Sequence, residues 1–396
     1  VGDIVENIPQ DSLVEFQKMI FKLEGKISGR RLLELFVPFL DEMVTFYNKS
    51  HSFKLDRGVD PDKRRKPVSE AKKTAIPPSK PAPEVSKDGI YVGVVGMLWN
   101  PEKDLISIDI KDLFFGKAKR GVLPEVVSGD VGEALRKNFT RRNLLGKVAG
   151  IYDPIGLVTP ITSRLKLDLH DLCLENLDWD DPVPDSYLEK WISNLNDIQS
   201  IKDLRFRRTI IPPDASSLDF DLIISSDASK SIAVASVHAR VLLTSGEFSC
   251  QLLTAKSKIV RYSTIPRAEL RAAVMSASLA HFAQFHLRDQ VSDSIYVTDS
   301  TIVLHWLNHD ERPLETAVRN SVIEIRRLSD VKQWFHIEGS LNIADLGTRH
   351  ADVSDLSDTS DWQNGKSWMY LPRENMPLKT IEEINLSAED KRSVSL

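Results

Sequence analysis

An α+β to α/β chain of several domains is what the sequence predicts, its C-terminal part built from three antiparallel strands followed by alternating helices and strands. Three observations predict it. Apolar residues change from helical spacing to strand-like runs near residue 205. A proline- and lysine-rich stretch at 59–88 separates a helical start from everything that follows. Four acidic residues, Asp227, Glu269, Asp299 and Asp345, each fall at a different junction between expected elements.

The bulk numbers narrow the classes. At 396 residues with 41% hydrophobic and 28% charged residues, the chain has the composition of an ordinary globular protein of two or three domains. No apolar run approaches the roughly 20 residues of a membrane span, and no secretory signal precedes the first expected helix. Cys173 and Cys250 are the only cysteines, which excludes a disulfide framework or a cysteine-rich zinc module and fits a reducing, cytoplasmic or nuclear setting. The net charge of −5 does not announce nucleic acid, so such binding would need a local basic face. A start at Val1 rather than Met suggests a piece of something longer.

In order along the chain, residues 1–58 read as two or three helices without chemistry, from Leu13, Phe16, Ile20 and Leu23 and again from Leu32, Leu35, Phe36, Phe39, Leu40 and Met43. The linker at 59–88 holds a Lys63-Arg64-Arg65-Lys66 cluster that reads first as solvated chain. Residues 89–204 form a short β-hairpin, its strands at 91–99 and 105–110 turned at 100–104, and then a mostly helical connection broken at 152–156 and 181–184. Residues 205–355 carry expected strands at 218–228, 231–242 and 249–256, with Gly246 in a turn. A helix over 266–288, a strand at 294–299, helices near 300–308 and 314–329 and a strand at 333–338 follow. Beyond 356 the chain is polar apart from Trp362, Trp368, Met369 and Tyr370, and reads as ending in a disordered tail.

Phosphodiester hydrolysis needs a deprotonated water, stabilisation of charge on phosphorus and help for the leaving oxygen, and two Mg²⁺ ions about 3.5–4 Å apart supply all three. Mg²⁺ takes hard oxygen ligands, so a few carboxylates suffice, and Mn²⁺ is an acceptable substitute. Asp227 interrupts the apolar run Leu222-Ile223-Ile224-Ser225-Ser226 and is the candidate to bridge both ions. Glu269 shares a helix face with Ala272, Ala273, Ser276 and Ala280, which lets that helix lie close on a sheet. Taken singly, Glu269 reads equally as a helix-dipole partner, Asp299 as an N-cap and Asp345 as a turn residue. Lys256, Lys258, Arg261 and Arg267 form a basic edge between the third strand and the Glu269 helix, suited to phosphates or simply a charged loop.

At these residues the chain resembles the polyprotein of BEL/Pao-type LTR retrotransposons over roughly 90–372. The resemblance runs through Val95–Asn100, Leu145–Leu157, Leu177–Asp180, Ser226–Ser229, Ala255–Lys258, Ile265–Leu270, Thr298–Trp306 and Asn342–Leu346, and Trp362–Pro372 is similar to the segment before the integrase. It implies the end of a reverse transcriptase, a connection, and a ribonuclease H-like domain cutting RNA in RNA–DNA hybrids, with the four acids as catalytic and metal residues and polymerase and integrase as neighbours. Lys230-Ser231-Ile232-Ala233 stands where that family usually has a small-residue turn with glycine. The aspartate pair of a polymerase hairpin is absent, Asp180-Asp181 preceding Pro182 in the connection, so no polymerase activity is expected. Residues 140–205 resemble a region also labelled a Pao-type aspartic peptidase, yet no Asp-Thr-Gly or Asp-Ser-Gly occurs. A catalytically inactive binding or scaffolding remnant is the alternative to the nuclease.

Overall fold

The computed structural model describes residues 84–86, 89–94, 97–110, 139–175, 177–260, 264–287, 289–309 and 314–384. The helices expected over 1–58, most of the linker, and Arg261 lie outside the described residues. Two compact units divide the chain, 1–103 and 104–396.

In the first unit, β1 (Glu84–Ser86), β2 (Gly89–Val94) and β3 (Met97–Asn100) form an antiparallel meander, with Glu84 opposite Tyr91 and Val92 opposite Trp99. The single strand expected over 91–99 is therefore two, paired with each other, and the end of the expected linker is itself a strand. Tyr91, Met97 and Trp99 are buried, and Asn100 Oδ1 accepts from Glu102 N at 3.0 Å and Lys103 N at 2.9 Å.

The second unit opens with β4 (Leu105–Ile108), which pairs with β5 (Phe206–Arg207). Between them lie α1 (Arg141–Ala149), α2 (Thr159–Leu174) and α3 (Asp185–Ile201). Thr140 caps α1 by accepting from Asn143 N. Asp153 accepts from Leu157 N and Val158 N, each at 2.8 Å, and so fixes the turn into α2. In α3, Trp191, Leu195 and Ile198 fall on one stripe and are buried.

The main sheet follows, with β6 (Phe220–Ala228), β7 (Ile232–Leu242), β8 (Phe248–Ile259), β9 (Val291–Thr298) and β10 (Trp334–His336) in the order β10-β9-β6-β7-β8. β7 pairs antiparallel with β6 and β8, whereas β9 pairs parallel with β6 and β10. This is the strand order of the ribonuclease H fold that the sequence implied. One face is covered by α4 (Ile265–Leu287), whose Ala268 and Ala272 pack on Ala228 and Ala233. α5 (Thr301–Asn308) and α6 (Thr316–Leu328) follow β9. On the other face the 3₁₀ segment Ile343–Gly347 sets Ala344 against Ile232 and Val234. β8 runs on past the strand end expected at Lys256 and takes in Lys258.

The disordered tail expected past 356 is corrected by the structure as far as residue 384. Trp362, in the short helix α7 (Asp361–Asn364), is fully buried; its Nε1 donates to Leu157 O at 2.7 Å and its carbonyl accepts from His238 Nε2 at 3.0 Å. Arg240 donates from Nε to Met369 O at 2.8 Å, and Trp368 Nε1 donates to Leu341 O at 2.9 Å. Buried polar groups on β7 thus obtain partners from this strap, which composition alone could not show.

The helical segment before 205 is hydrogen-bonded to the main sheet. Ile155 O accepts from Ala255 N and from Thr254 Oγ1, both at 2.9 Å, docking the connection on the edge of β8. Gly156 sits there at φ +79, and a Cβ on it would stand 1.8 Å from Ala255 O. Gly156→Ala is therefore expected to cost at least about 3 kcal/mol, through a disfavoured backbone conformation and a main-chain clash. Gly146→Ala, within α1 and with open space around it, is expected to add about 0.5–1 kcal/mol. Urea unfolding of the two variants checks both signs.

Candidate active site

Register brings the first two acids together. Ser226 on β6 lies opposite Thr298 on β9 in a parallel pair, so the next residues, Asp227 and Asp299, leave the strands side by side. Asp345 reaches the same place from the 3₁₀ segment, whose capping residue Asn342 donates from Nδ2 to Ser226 O at 2.9 Å and accepts from Ala344 N. Burial and neighbouring charge act on Asp227 and Asp299. Asp227 is pushed up to about 6, first by desolvation and then by Asp299, with Thr348 opposing and Asp345 adding. Asp299 is also raised, by desolvation and by Asp345, against a hydrogen bond from Asn342 and the pull of Arg349.

Each acid has a distinct local environment. Thr348 Oγ1 donates to Asp227 Oδ2, and Arg349 Nε donates to Asp345 Oδ1 at 2.6 Å. Glu269, just past the first turn of α4, accepts from Ser300 Oγ at 2.5 Å. Ser300 follows Asp299 and caps α5, so Glu269 is tied to the same strand end from the opposite face of the sheet. Among the described residues, the buried Asp299 Oδ1 has no hydrogen-bond partner.

The donors fit a hard cation in kind: they are carboxylate oxygens only, they repel one another, and one oxygen is orphaned. As they stand they are not gathered at one point. Among the described residues no three His, Cys, Asp or Glu side chains are grouped to hold a metal ion. Asp227, Asp299 and Asp345 are close enough to repel, and Glu269 joins them through Ser300.

The basic edge divides. Lys256 is half-buried and Lys258 exposed on β8, while Arg267 on α4 pairs with Glu315. Sequence reasoning missed Thr348, Arg349, Ser300 and Lys166. Thr348 and Arg349 sit three and four residues after Asp345, a helical spacing that could have drawn notice; nothing marked Lys166 on α2.

Acidic side chains buried at adjacent strand ends, in this strand order, define a ribonuclease H-like domain. Residues 140–300 match the family model described as the Pao retrotransposon-like RNaseH-like domain, which bears out the resemblance to a Pao-type retrotransposon polyprotein region. No curated protein matches the chain. Among solved structures, RNase H1 from the halophilic archaeon Halobacterium salinarum is 17% identical, with a TM-score of 0.23 over 32% of this chain and 90% of its own. An RNase H1 isolated from compost is 16% identical, with a TM-score of 0.25 over 36% and 100%. The N-terminal RNase H domain of a Mycobacterium tuberculosis protein, solved as a fusion with maltose-binding protein, is 13% identical, with a TM-score of 0.21 over 30% and 81%. At such TM-scores the fold stands on the strand order and the family match instead.

The raised Asp227 has a stability consequence. Its folded value, about 6, lies above its ordinary 3.8, so folding takes up a proton between those values and stability falls as pH rises through that window. Above it, the charge costs on the order of 2–3 kcal/mol. Asp227→Asn should therefore be more stable than wild type at pH 7, by about 1–3 kcal/mol, with the gap closing toward pH 4. Urea unfolding at the two pH values measures this, and a pH-independent gap would contradict it. Asn342→Ala should cost about 2 kcal/mol, because the buried Ser226 carbonyl loses its donor and the 3₁₀ turn its cap. A thermal melt reads that loss.

Proposed function

We propose that this region is a metal-dependent nuclease of the ribonuclease H type, hydrolysing the RNA strand of an RNA–DNA hybrid. The observation that carries the reading is the parallel register that sets Asp227 and Asp299 side by side at the adjoining ends of β6 and β9, both raised by burial and by neighbouring carboxylate charge.

In this reading Asp227, Glu269, Asp299 and Asp345 hold two Mg²⁺ ions, or Mn²⁺, when metal is bound. Bound metal supplies water activation and charge neutralisation at phosphorus. The chain's own groups prepare that state. Desolvation of Asp227 and Asp299 keeps the site dry and its electrostatics strong. Thr348 holds one Asp227 oxygen. Asn342 fixes the loop that presents Asp345. Ser300 orients Glu269, and Arg349 offsets the carboxylate charge until a cation does so. Lys256, Lys258, Arg261 and Arg267 supply the positive edge for the hybrid backbone. Polymerase and integrase parts of a longer polyprotein are the proposed neighbours, and a cytoplasmic or nuclear setting is the proposed one.

A non-catalytic binding module is the second reading. It is favoured by the protein partners already engaging Asp227, Glu269 and Asp345 and by the absence, among the described residues, of a closed metal cluster.

Purified protein is expected to cut a labelled hybrid with Mg²⁺ and not with chelator, and Asp299→Asn to lower the rate at least about a thousandfold. Equal cleavage by the variant removes the nuclease reading. Tight hybrid binding without cleavage, together with no heat of Mg²⁺ binding in calorimetry, establishes the second.

A further inference from the structure

Lys166 on α2 donates from Nζ to Ser257 Oγ at 3.2 Å. Ser257 stands between Lys256 and Lys258 near the end of β8, the edge strand of the sheet. Ser257 lies opposite Val234, and Val234 opposite Asp227. The serine and the acid thus share one cross-strand row and one face of the sheet, two strand spacings or about 10 Å apart. Lys256 and Lys258 alternate to the other face, so lysines reach the rim of β8 from both sides.

These ammonium groups are held together against repulsion. Burial drives Lys256 down to about 8, helped by the charges of Lys258 and Lys166. Burial also lowers Lys166, with Asp153 opposing. The Asp153 oxygens are committed to Leu157 N and Val158 N, which cap α2. A lysine trio so placed gains from an anion shared among its members.

We propose that Lys166, brought to Ser257 by the docking of α2 on β8, joins Lys256 and Lys258 on the opposite face of the same strand to line the rim of β8 as a phosphate-binding track for the backbone of the nucleic-acid substrate. The proposal deepens the nuclease reading and rests on its choice of a nucleic acid as ligand. It extends the substrate track from the acids onto the connection, so α2 is part of the substrate-binding surface as well as a support.

The test uses the full chain carrying Asp299→Asn, so that substrate survives, and measures anisotropy of a fluorescent RNA–DNA hybrid against NaCl concentration. Lys166→Gln and Lys258→Gln should each weaken binding about five- to tenfold at low salt and lower the salt slope by about one. Lys258→Arg should restore both, and Lys332→Gln, an exposed lysine elsewhere, should change neither. An unchanged slope in both lysine variants overturns the proposal, as does weaker binding that Lys258→Arg does not restore. Inorganic phosphate is the second arm. If it binds wild type and loses affinity in the variants while the hybrid does not, the site serves a free anion and the proposal fails. Lysine-dependent hybrid binding by a wild-type protein that does not cut would leave the phosphate site standing and sink the nuclease reading alone.

Discussion

Everything at the candidate site depends on the parallel pairing of β6 with β9. With Ser226 opposite Thr298, the strands deliver Asp227 and Asp299 at the same level. A slip of one residue would turn Asp227 to the α4 face and bring a different side chain beside Asp299. The register is held from several sides: the apolar run before Asp227 is wholly buried, and Ser226 O is taken by Asn342. Parallel neighbours cannot be joined by a tight turn and need a long crossover. That crossover contains α4, and α4 carries Glu269. The topology that places the two aspartates therefore also supplies the glutamate, and the alanines of α4 let it lie close enough for Glu269 to reach Ser300.

Collecting carboxylates in a desolvated place works against folding, so stability must come from elsewhere. Much of it lies on β7, buried along nearly its whole length and carrying His238 and Arg240 into the interior. Left alone, those two side chains would be costly. His238 is met by the carbonyl of Trp362, and Arg240 by Asp221, Met369 O and Leu371 O. The strap after residue 353 thus turns two polar interruptions into specific anchors, at a distance from the acids. A domain anchored in this way can tolerate an Asp227 whose charged form is disfavoured by burial.

The fold was legible where pattern and period agreed. The strands from 218 to 256, the long helix opening before Glu269 and the alternation after it follow directly from apolar spacing and from Pro266, and the strand order matches. The strand break between Val94 and Met97 was missed although Gly96 falls at it, because the apolar residues from Tyr91 to Trp99 outweighed the glycine. The strap was missed for a related reason: Trp362, Trp368 and Met369 are isolated in a polar stretch, and only the slots they fill make them structural. At the site, strand-end placement was readable for Asp227 and Asp299. The partners were not, since a threonine hydroxyl or an arginine fork becomes relevant only once the chain has brought it to a carboxylate from 121 residues away, as with Thr348 and Asp227.

The stretch Leu145–Leu157 carried part of the family resemblance without any chemistry to explain it, and its position supplies the reason. β8 is an edge strand, and an exposed edge is a template for unwanted pairing. Ile155 covers it by accepting from Ala255 N, and the approach is so close that only glycine fits at 156. Asp153, two residues earlier, locks the turn that presents Ile155 and starts α2. The match to the Pao retrotransposon-like RNaseH-like domain begins at 140 and so includes this segment. The cover ends at Ala255, and Lys256 and Lys258 follow on β8. Charged side chains at an open edge discourage another strand from adding there. The same charges that keep a second protein strand away are what a phosphate backbone would seek, so protection of the edge and recognition of substrate place the same demand on these two positions.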